Sequence, residues 1–313
     1  MLIVAGPTCS GKSALALGLA GRLDGTVINA DAMQCYRELR VITARPTPQE
    51  EARVPHLLYG VRPAALSGHA AWWRGAALEA IAAARAAGRL PILCGGTGLY
   101  LAALVHGIAA LPDVPVSVRA EARRTLAELG PSGLHAALAA EDPATAARLR
   151  PSDSQRLARA WEVWRATGRG LAAWQAGPAA PAPFRFAVLR LDPPREALRA
   201  AIAGRFASML DQGALAEVRA LLALGLDPAL PAMRAHGVPE LAAHLRGEIS
   251  LAEAERRAVL ATGQYTKRQA TWFRHQNLVE PARTQVIHAR IAGLAQFSER
   301  EMQQIISFIR QPG

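Results

Sequence analysis

The first residues with clear chemical potential form a glycine-rich loop near the N-terminus. Gly6 and the run Gly11-Lys12-Ser13 fit the pattern G-x-x-x-x-G-K-[ST], in which backbone N–H groups converge on phosphate oxygens at the start of a helix. Lys12 supplies a compact positive charge there, and the Ser13 hydroxyl can bind Mg²⁺. Lys12 and Lys267 are the only lysines among 36 lysines and arginines, so the chain keeps an ammonium group where a forked guanidinium would fit poorly. We therefore predict that a phosphate-bearing substrate binds to the loop, whose residues are Gly6, Pro7, Thr8, Cys9, Ser10, Gly11, Lys12 and Ser13.

Asp31 is the second candidate for chemistry. It follows the short run 26–29, which reads as a strand, and the C-terminal tips of parallel strands are where ligands bind in open α/β sheets. A carboxylate at that position can act as a general base, with Gln34 and Tyr36 close by as hydrogen-bonding side chains. Strand-tip acids also cap helices or hydrogen-bond to a metal ligand. Position alone leaves these roles open.

The elements that position these residues alternate along the chain. Short apolar runs bounded by glycine or proline predict strands, and the alanine-rich stretches between them predict helices. Strands separated by helices indicate a parallel sheet. A final amphipathic helix is predicted behind the capping box formed by Ser298 and Glu301. We predict strands at 2–5, 26–29, 90–94 and 184–191, helices at 13–23 and 70–87, and mostly helices from Arg195 onward.

The middle of the chain differs from the rest. Residues 112–177 show helical patterns interrupted by Gly130-Pro131 and by other turn pairs, and they show no strand pattern. The predicted fold class is therefore α/β: a P-loop-containing parallel sheet flanked by helices, with an all-helical insertion domain. Trp73, like Trp72, Trp161 and Trp164, is expected to pack in a core. The predicted divisions are 1–114 for the first part of the α/β core, 115–178 for the insertion, and 179–313 for the completion of the core and the C-terminal helices.

Composition and charge narrow the function classes. Hydrophobic residues make up 51% of the chain and charged residues 19%, which excludes a disordered or fibrous protein. The net charge of +11 suits a polyanionic partner, although an arginine-rich composition alone would also produce it. Cys9, Cys35 and Cys94 form no close pair, which argues against a disulfide framework and favours a reducing cytosol. No run reaches the roughly 18 apolar residues of a membrane span. We expect a soluble, cytoplasmic protein with no membrane partner.

Several further short sequence motifs lie along the chain, well beyond the phosphate loop. In their order and spacing they resemble the tRNA dimethylallyltransferase family, also called tRNA isopentenyltransferases, over about residues 1–280. Each block is short, but the combination is specific. The blocks lie at 6–13, 31–36, 43–46, 54–57, 95–100, 155–160, 233–240 and 265–274.

The resemblance implies an activity and roles for named residues. The family transfers a dimethylallyl group from dimethylallyl diphosphate to the exocyclic N6 amine of the adenosine 3′ of a tRNA anticodon, with Mg²⁺ as cofactor. The loop, Lys12 and Ser13 would then stabilise the leaving diphosphate, and the metal would bind at Ser13. Asp31 becomes the general base, and Thr97 becomes a polar contact beside the amine.

The resemblance also implies how tRNA binds. In the family the anticodon arm is held between the core and the helical insertion, and the target base leaves its stack to react. Arginines of the insertion would contact phosphates, with a salt-dependent affinity. Nothing in the sequence requires a dimer, so a monomer is expected. The residues of this chain that match the family's tRNA-binding positions are Asp31, Ala32, Met33, Gln34, Thr97, Arg119, Gln155, Arg156, Leu157, Ala158 and Arg159.

This chain departs from the family's usual residues at a few positions. Cys9 and Ala32 replace alanine and serine, and both changes are expected to be tolerated, because the loop binds through backbone N–H groups and Asp31 itself is present. Arg45 replaces lysine, and its contact is expected to be rebuilt. Leu57 and Gly60 replace a histidine and an acid, which removes polar groups from that segment.

Two other functions share part of this pattern. A small-molecule P-loop kinase would use Lys12, Ser13 and Asp31 with the insertion as an ATP lid, but it has no place for the blocks at 95–100 and 265–274. A non-catalytic RNA-binding protein leaves the phosphate loop unexplained. ATP binding that dimethylallyl diphosphate cannot displace would favour the kinase.

Overall fold

The fold contains one parallel sheet, and the phosphate loop follows one of its inner strands. The computed structural model describes residues 1–177 and 179–311. The strands are arranged in the order β3-β2-β4-β1-β5-β6, and every neighbouring pair is parallel, which confirms the predicted α/β fold class. The six strands are β1 (Leu2–Ala5), β2 (Gly25–Asn29), β3 (His56–Leu57), β4 (Leu90–Gly95), β5 (Ala187–Leu191) and β6 (Thr284–Ile287).

The strand β1 lies at the centre of the sheet and is fully buried. Leu2 pairs with Ile92 of β4 on one side and with Ala187 of β5 on the other. Because all strands run the same way, the segments after β1, β2 and β4 meet at one edge. These segments contain the phosphate loop, Asp31 and Thr97, so the topology alone brings the predicted chemistry together.

Helices cover the sheet and form the remainder of the fold. The first begins inside the phosphate loop, and the last has the predicted capping box between Ser298 and Glu301. Short 3-10 turns lie at Met33–Cys35, Pro231–Arg234, Pro281–Arg283 and Leu294–Gln296. The helices are α1 (Lys12–Arg22), α2 (Pro48–Arg53), α3 (Ala70–Ala86), α4 (Gly98–Val105), α5 (Val116–Glu141), α6 (Pro143–Ala146), α7 (Ser154–Thr167), α8 (Leu171–Gln175), α9 (Arg195–Asp211), α10 (Ala214–Leu222), α11 (Val238–Leu245), α12 (Leu251–His275) and α13 (Glu299–Arg310).

Two strands differ from the sequence prediction. The sequence predicts mostly helices after Arg195 and no particular strand there, whereas the structure adds β6, which pairs with β5 at the edge of the sheet. Its four residues are all only partly buried and show no alternation of polar and apolar side chains, so it lacks the usual strand signal. The strand β3 was also not predicted, because two residues are too few to form a pattern.

The chain divides into two compact units, Met1–Val105 with Ala182–Gly313, and His106–Pro181. The second unit begins before the predicted division at residue 115, because Val114 belongs to that unit's own hydrophobic core. The other predicted division, at Pro178, lies outside the described residues.

The second unit is helical throughout its described part. The helices α5 and α7 pack against each other around Leu134 and Leu157, both fully buried. Gly130 interrupts α5 with a φ of +67°, at the Gly-Pro pair that the sequence marked as a turn. The unit therefore has the all-helical character that was predicted.

We expect Trp73 to be a major source of stability. Its side chain is fully buried, its Nε1 donates to the Asn29 carbonyl at 2.8 Å, and its ring stacks on Tyr100 at 4.8 Å. Trp73→Ala is expected to lower the free energy of unfolding by ~3–5 kcal/mol through loss of packing. Trp73→Phe is expected to cost ~1–3 kcal/mol because the Asn29 carbonyl loses its donor. Chemical denaturation measures both values, with the exposed Leu66→Ala as a control that should change little; a small loss for Trp73→Ala would contradict this role.

Among the described residues, no helix combines the length and apolar character needed to cross a membrane.

Candidate active site

The phosphate loop connects β1 directly to α1. Gly11 takes a φ of +91° where α1 begins, a conformation that favours glycine, and a Cβ there would overlap the Ile291 carbonyl oxygen. Lys12 is buried, and its Nζ donates to the Pro7 carbonyl at 3.4 Å across the loop. Ser13 is exposed. The loop thus presents an ammonium group, a hydroxyl and helix N-terminal amides to one anion.

Gln269 of α12 holds the phosphate loop against the segment after β4. Its Oε1 accepts from the Thr8 backbone N–H at 2.8 Å and from the Thr8 hydroxyl at 3.0 Å. Its Nε2 donates to the Gly96 carbonyl at 2.9 Å. Because the side chain is buried, these hydrogen bonds are protected from water and fix the relative position of the two segments.

Asp31 sits at the tip of β2, as predicted. Its backbone N–H donates to Asn29 Oδ1 at 2.8 Å, and its Oδ1 accepts from the Met33 N–H at 3.0 Å. The carboxylate therefore caps the following turn with one oxygen. Among the described residues, its Oδ2 has no hydrogen-bond partner. Capping and proton acceptance are compatible, because they use different oxygens.

Thr97 and Tyr265 lie beside Asp31. The Thr97 hydroxyl oxygen accepts from the Ala32 N–H at 3.0 Å, which leaves its own proton available to a partner. Tyr265 lies near the side chains of Thr97 and Gln269. Burial, together with the negative charge of Asp31, raises the pKa of Tyr265 to about 12, so the phenol keeps its proton at neutral pH.

A single cavity joins the phosphate loop to Asp31. Lys12, Ser13, Asp31 and Tyr265 line it. His236 lies against Tyr265 with ring centroids 4.8 Å apart, and burial lowers the pKa of His236, which favours the neutral imidazole. Apolar side chains line the wall between: Ile42, Ile202, Phe206 and Met209.

Arg205 of α9 adds positive charge to the cavity. Its Nη2 donates to the Thr43 carbonyl at 3.2 Å, and its Nη1 lies 3.8 Å from the Cys9 sulfur. Gln34 donates to the same Thr43 carbonyl and to that of Ala44, each at 2.9 Å. The Thr43 carbonyl thus links Gln34 to Arg205, which in turn contacts Cys9 of the phosphate loop.

Arg45 and Gly60, two of the departures from the family pattern, lie next to each other. A Cβ at Gly60 would overlap the Arg45 guanidinium, whose Nη1 donates to the Arg37 carbonyl at 3.3 Å. Burial lowers the pKa of Arg45. Leu57, a third departure, pairs with Ile28 in the sheet. Arg45 occupies space that only a glycine at position 60 leaves open.

The insertion residues predicted to bind tRNA lie in the second unit. Gln155 and Arg156 are exposed on α7, and Ala158 is half-buried. Arg159 pairs with Glu162 at 3.1 Å. Arg119 of α5 is half-buried, and its Nε has no hydrogen-bond partner among the described residues. Leu157 is fully buried in this unit's core, so its side chain packs and is not available to a ligand.

Comparisons with known proteins agree with this geometry. The model of the IPP transferase family matches residues 34–276, and a model of isopentenyl transferase matches residues 1–57. The tRNA dimethylallyltransferase of Granulibacter bethesdensis is 64% identical over 310 residues, covering 99% of this chain and 97% of that protein. This chain belongs to the tRNA dimethylallyltransferase family. A second member of the family, from Acidiphilium cryptum, is 63% identical and covers 99% of this chain and 94% of that protein.

Solved structures of the family share the fold. The tRNA isopentenylpyrophosphate transferase of Bacillus halodurans is 29% identical with a TM-score of 0.68, covering 98% of this chain and 94% of that one. A eukaryotic dimethylallyltransferase acting on tRNA is 25% identical with a TM-score of 0.76, covering 98% of this chain and 77% of that one. Membership of the family favours prenyl transfer over the kinase and over the non-catalytic RNA-binding protein.

Some residues of the site were not predicted from sequence. Tyr265 and Gln269 lie four positions apart on one face of α12, within a block that resembles the family, and that spacing was the available signal. His236 lies within the block 233–240 that resembles the family but was not singled out, and Arg205 lies in no such block. They reach the cavity only because α9 and the segment before α11 fold over the phosphate loop.

We expect Gln269 to be required for the geometry of the loop. Gln269→Ala removes both acceptor contacts to Thr8 and the donor to Gly96, and should weaken diphosphate binding by about tenfold or more. Gln269→Glu keeps an acceptor for Thr8 but loses the donor and adds negative charge, so it should bind diphosphate more weakly still. Calorimetric titration with inorganic pyrophosphate measures both. Gln264→Ala, at an exposed site on the same helix, is the control, and an affinity of Gln269→Ala equal to that of the control would contradict the role.

Proposed function

We propose that this chain transfers a dimethylallyl group from dimethylallyl diphosphate to the exocyclic N6 amine of the adenosine 3′ of the anticodon in tRNA, releasing diphosphate. The observation that carries the proposal is the cavity that joins three environments. Lys12 and Ser13 lie at one place on its wall, Asp31 lies at another, and apolar side chains lie along it. A diphosphate, a nucleophile and a five-carbon allylic group need these three environments.

The reaction breaks the allylic C–O bond and forms a C–N bond. Negative charge develops on the departing diphosphate, where Lys12, Arg205 and the amides of the loop supply positive charge in a buried setting. The dimethylallyl group would pack against Ile202, Phe206 and Met209, which also exclude water from the reactive carbon.

The amine must lose a proton as it attacks. We assign this proton to Asp31, because its Oδ1 is already bound to the Met33 N–H and its Oδ2 is without a hydrogen-bond partner among the described residues. The Thr97 hydroxyl, which accepts from the Ala32 N–H, would donate to the adenine and fix its orientation. Tyr265 stays protonated beside Thr97.

Ser13 is the residue that would hold Mg²⁺. It is an exposed residue that follows Lys12 at the start of α1. Among the described residues there is no group of three His, Cys, Asp or Glu side chains that could hold a metal ion alone. Mg²⁺ commonly binds through one or two protein oxygens together with substrate phosphates and water, so this donor set fits. When bound, the metal neutralises charge on the diphosphate.

The tRNA would contact both units. Asp31, Ala32, Met33, Gln34 and Thr97 are proposed at the target base. The exposed Gln155 and Arg156, with Ala158, Arg159 and Arg119, are proposed on the anticodon arm, where contacts to phosphate make affinity fall with salt. Leu157 would contribute through its backbone only. The monomeric state and the cytoplasmic location predicted from the sequence stay predictions.

The test is transfer of label from dimethylallyl diphosphate to unmodified tRNA. The proposal predicts label in the RNA only when Mg²⁺ is present, and loss of transfer when the metal is chelated. Tight binding of ATP that dimethylallyl diphosphate cannot displace, with phosphate transferred in place of the prenyl group, would contradict it.

A further inference from the structure

The segment after β6 closes the outer side of the phosphate loop. We call residues 288–293 the C-terminal strap; they lie beyond the residues 34–276 that the family model matches. Because β6 is parallel to β5 and β5 to β1, the chain leaves β6 at the edge where the loop lies. The Ile291 N–H donates to the Ser10 carbonyl at 2.9 Å, and Ile291 is buried. The Ile291 carbonyl occupies the space that Gly11 leaves open.

The strap is held in place from both sides. Gln296 donates to the Arg290 carbonyl at 3.1 Å, and its Oε1 accepts from the N–H groups of Ala292 and Gly293. Beyond it, α13 buries Met302 and Ile305 in the same hydrophobic core as α1. These contacts keep the strap against the loop before any ligand arrives, which lowers the entropy cost of binding through it.

Arg290 brings a positive charge to the loop. Its Nε donates to the Cys9 carbonyl at 3.1 Å, which fixes one edge of the guanidinium on the rim of the loop. Within residues 1–177 and 179–311, its terminal amino groups have no hydrogen-bond partner and no carboxylate pairs with it. Arg290 lines a second cavity, which shares Lys12, Ser13 and Arg205 with the cavity that reaches Asp31. An arginine paired with its neighbour, such as Arg40 with Glu51 at 3.2 Å, offers less net charge there.

We propose that Arg290 is a further diphosphate-binding residue, supplied by the C-terminal strap. The inference rests on the proposed function, because it takes the diphosphate as the ligand of the loop. With Nε engaged by Cys9, the terminal amino groups bind diphosphate oxygens by charge-assisted hydrogen bonds. An arginine suits the exposed position 290, whereas a lysine suits the buried position 12.

The test compares affinities for inorganic pyrophosphate and for dimethylallyl diphosphate, with Mg²⁺, by calorimetric titration of the full chain. Arg290→Ala should weaken the affinity for each ligand by about tenfold. Arg290→Lys keeps the charge without the Cys9 contact, so its affinities should fall between those of wild type and Arg290→Ala. The control is Arg300→Ala, which removes an exposed arginine of α13 and should bind like wild type. Thermal unfolding without ligand should be unchanged in all three variants.

The outcomes separate the inference from the proposed function. Wild type that binds diphosphate, with Arg290→Ala within twofold of it, overturns the role of Arg290 and leaves the proposed function standing. Equal losses in Arg290→Ala and Arg300→Ala also overturn it, since they would reflect net charge alone. Wild type that binds neither probe overturns both.

Discussion

Asp31→Asn is expected to slow prenyl transfer to tRNA by about 10²- to 10⁴-fold, the range of general base catalysis. Asparagine keeps an oxygen for the Met33 N–H, so the turn after β2 is preserved while the proton acceptor is lost. Single-turnover transfer with saturating substrates measures the effect. The affinity for dimethylallyl diphosphate should remain within about twofold of wild type, since the diphosphate binds at the loop.

The control for this change is Asp24→Asn. Asp24 lies in the same unit with its side chain 74% exposed and pairs with Arg89 at the surface. The Asp24→Asn variant should transfer the prenyl group at the wild-type rate. If Asp31→Asn is also close to the wild-type rate, Asp31 serves only as a cap, and water or another group accepts the proton.

Lys12→Ala is expected to lower kcat/KM for dimethylallyl diphosphate by about 10²- to 10³-fold, as removal of an electrostatic stabiliser of a developing anion does. Lys12→Arg should not restore it, because the ammonium group is buried within the loop and a planar guanidinium needs more room. Steady-state kinetics measures kcat and KM, and calorimetry with inorganic pyrophosphate measures binding separately.

Lys267, the only other lysine, provides the matched control. It is exposed on α12 and does not line the cavity that joins Lys12 to Asp31. Lys267→Ala should leave pyrophosphate affinity unchanged. Equal losses in the two lysine variants, or a fully active Lys12→Arg, would contradict the role assigned to Lys12.

The part of the site that can be predicted consists of residues that are close together in the sequence. The phosphate loop is recognisable because its glycines, lysine and serine must follow one another between a strand and a helix. Asp31 is recognisable because it ends a strand, and parallel strands bring their ends to one edge. Both are local sequence patterns, and the geometry of the chain then determines where their residues lie in the fold.

The remaining part depends on contacts between distant segments. Gln269 is 261 positions from Thr8, and nothing near either residue indicates that they meet. Arg290 contacts Cys9, which is 281 positions away in the sequence. The strand that brings it there, β6, was not predicted from the sequence. Such contacts depend on which helix packs over which loop, and a single sequence carries no local signal for that.

The positions that depart from the family pattern show a related limit of prediction from sequence. Arg45 and Gly60 each differ from the family pattern, and taken singly each removes a usual group. In the structure they are neighbours, and the guanidinium fills the space above the glycine. The sequence alone does not connect the two positions, because the contact that links them is not local.

The most direct test of the account is the identity of the modified nucleoside. Unmodified tRNA is incubated with the protein, dimethylallyl diphosphate and Mg²⁺, then digested and analysed by mass spectrometry. We expect one dimethylallyl group on the N6 amine of the adenosine 3′ of the anticodon, and none when Asp31→Asn is assayed for the same short time. A prenyl group on another base, or RNA that remains unmodified while diphosphate is released, would contradict it.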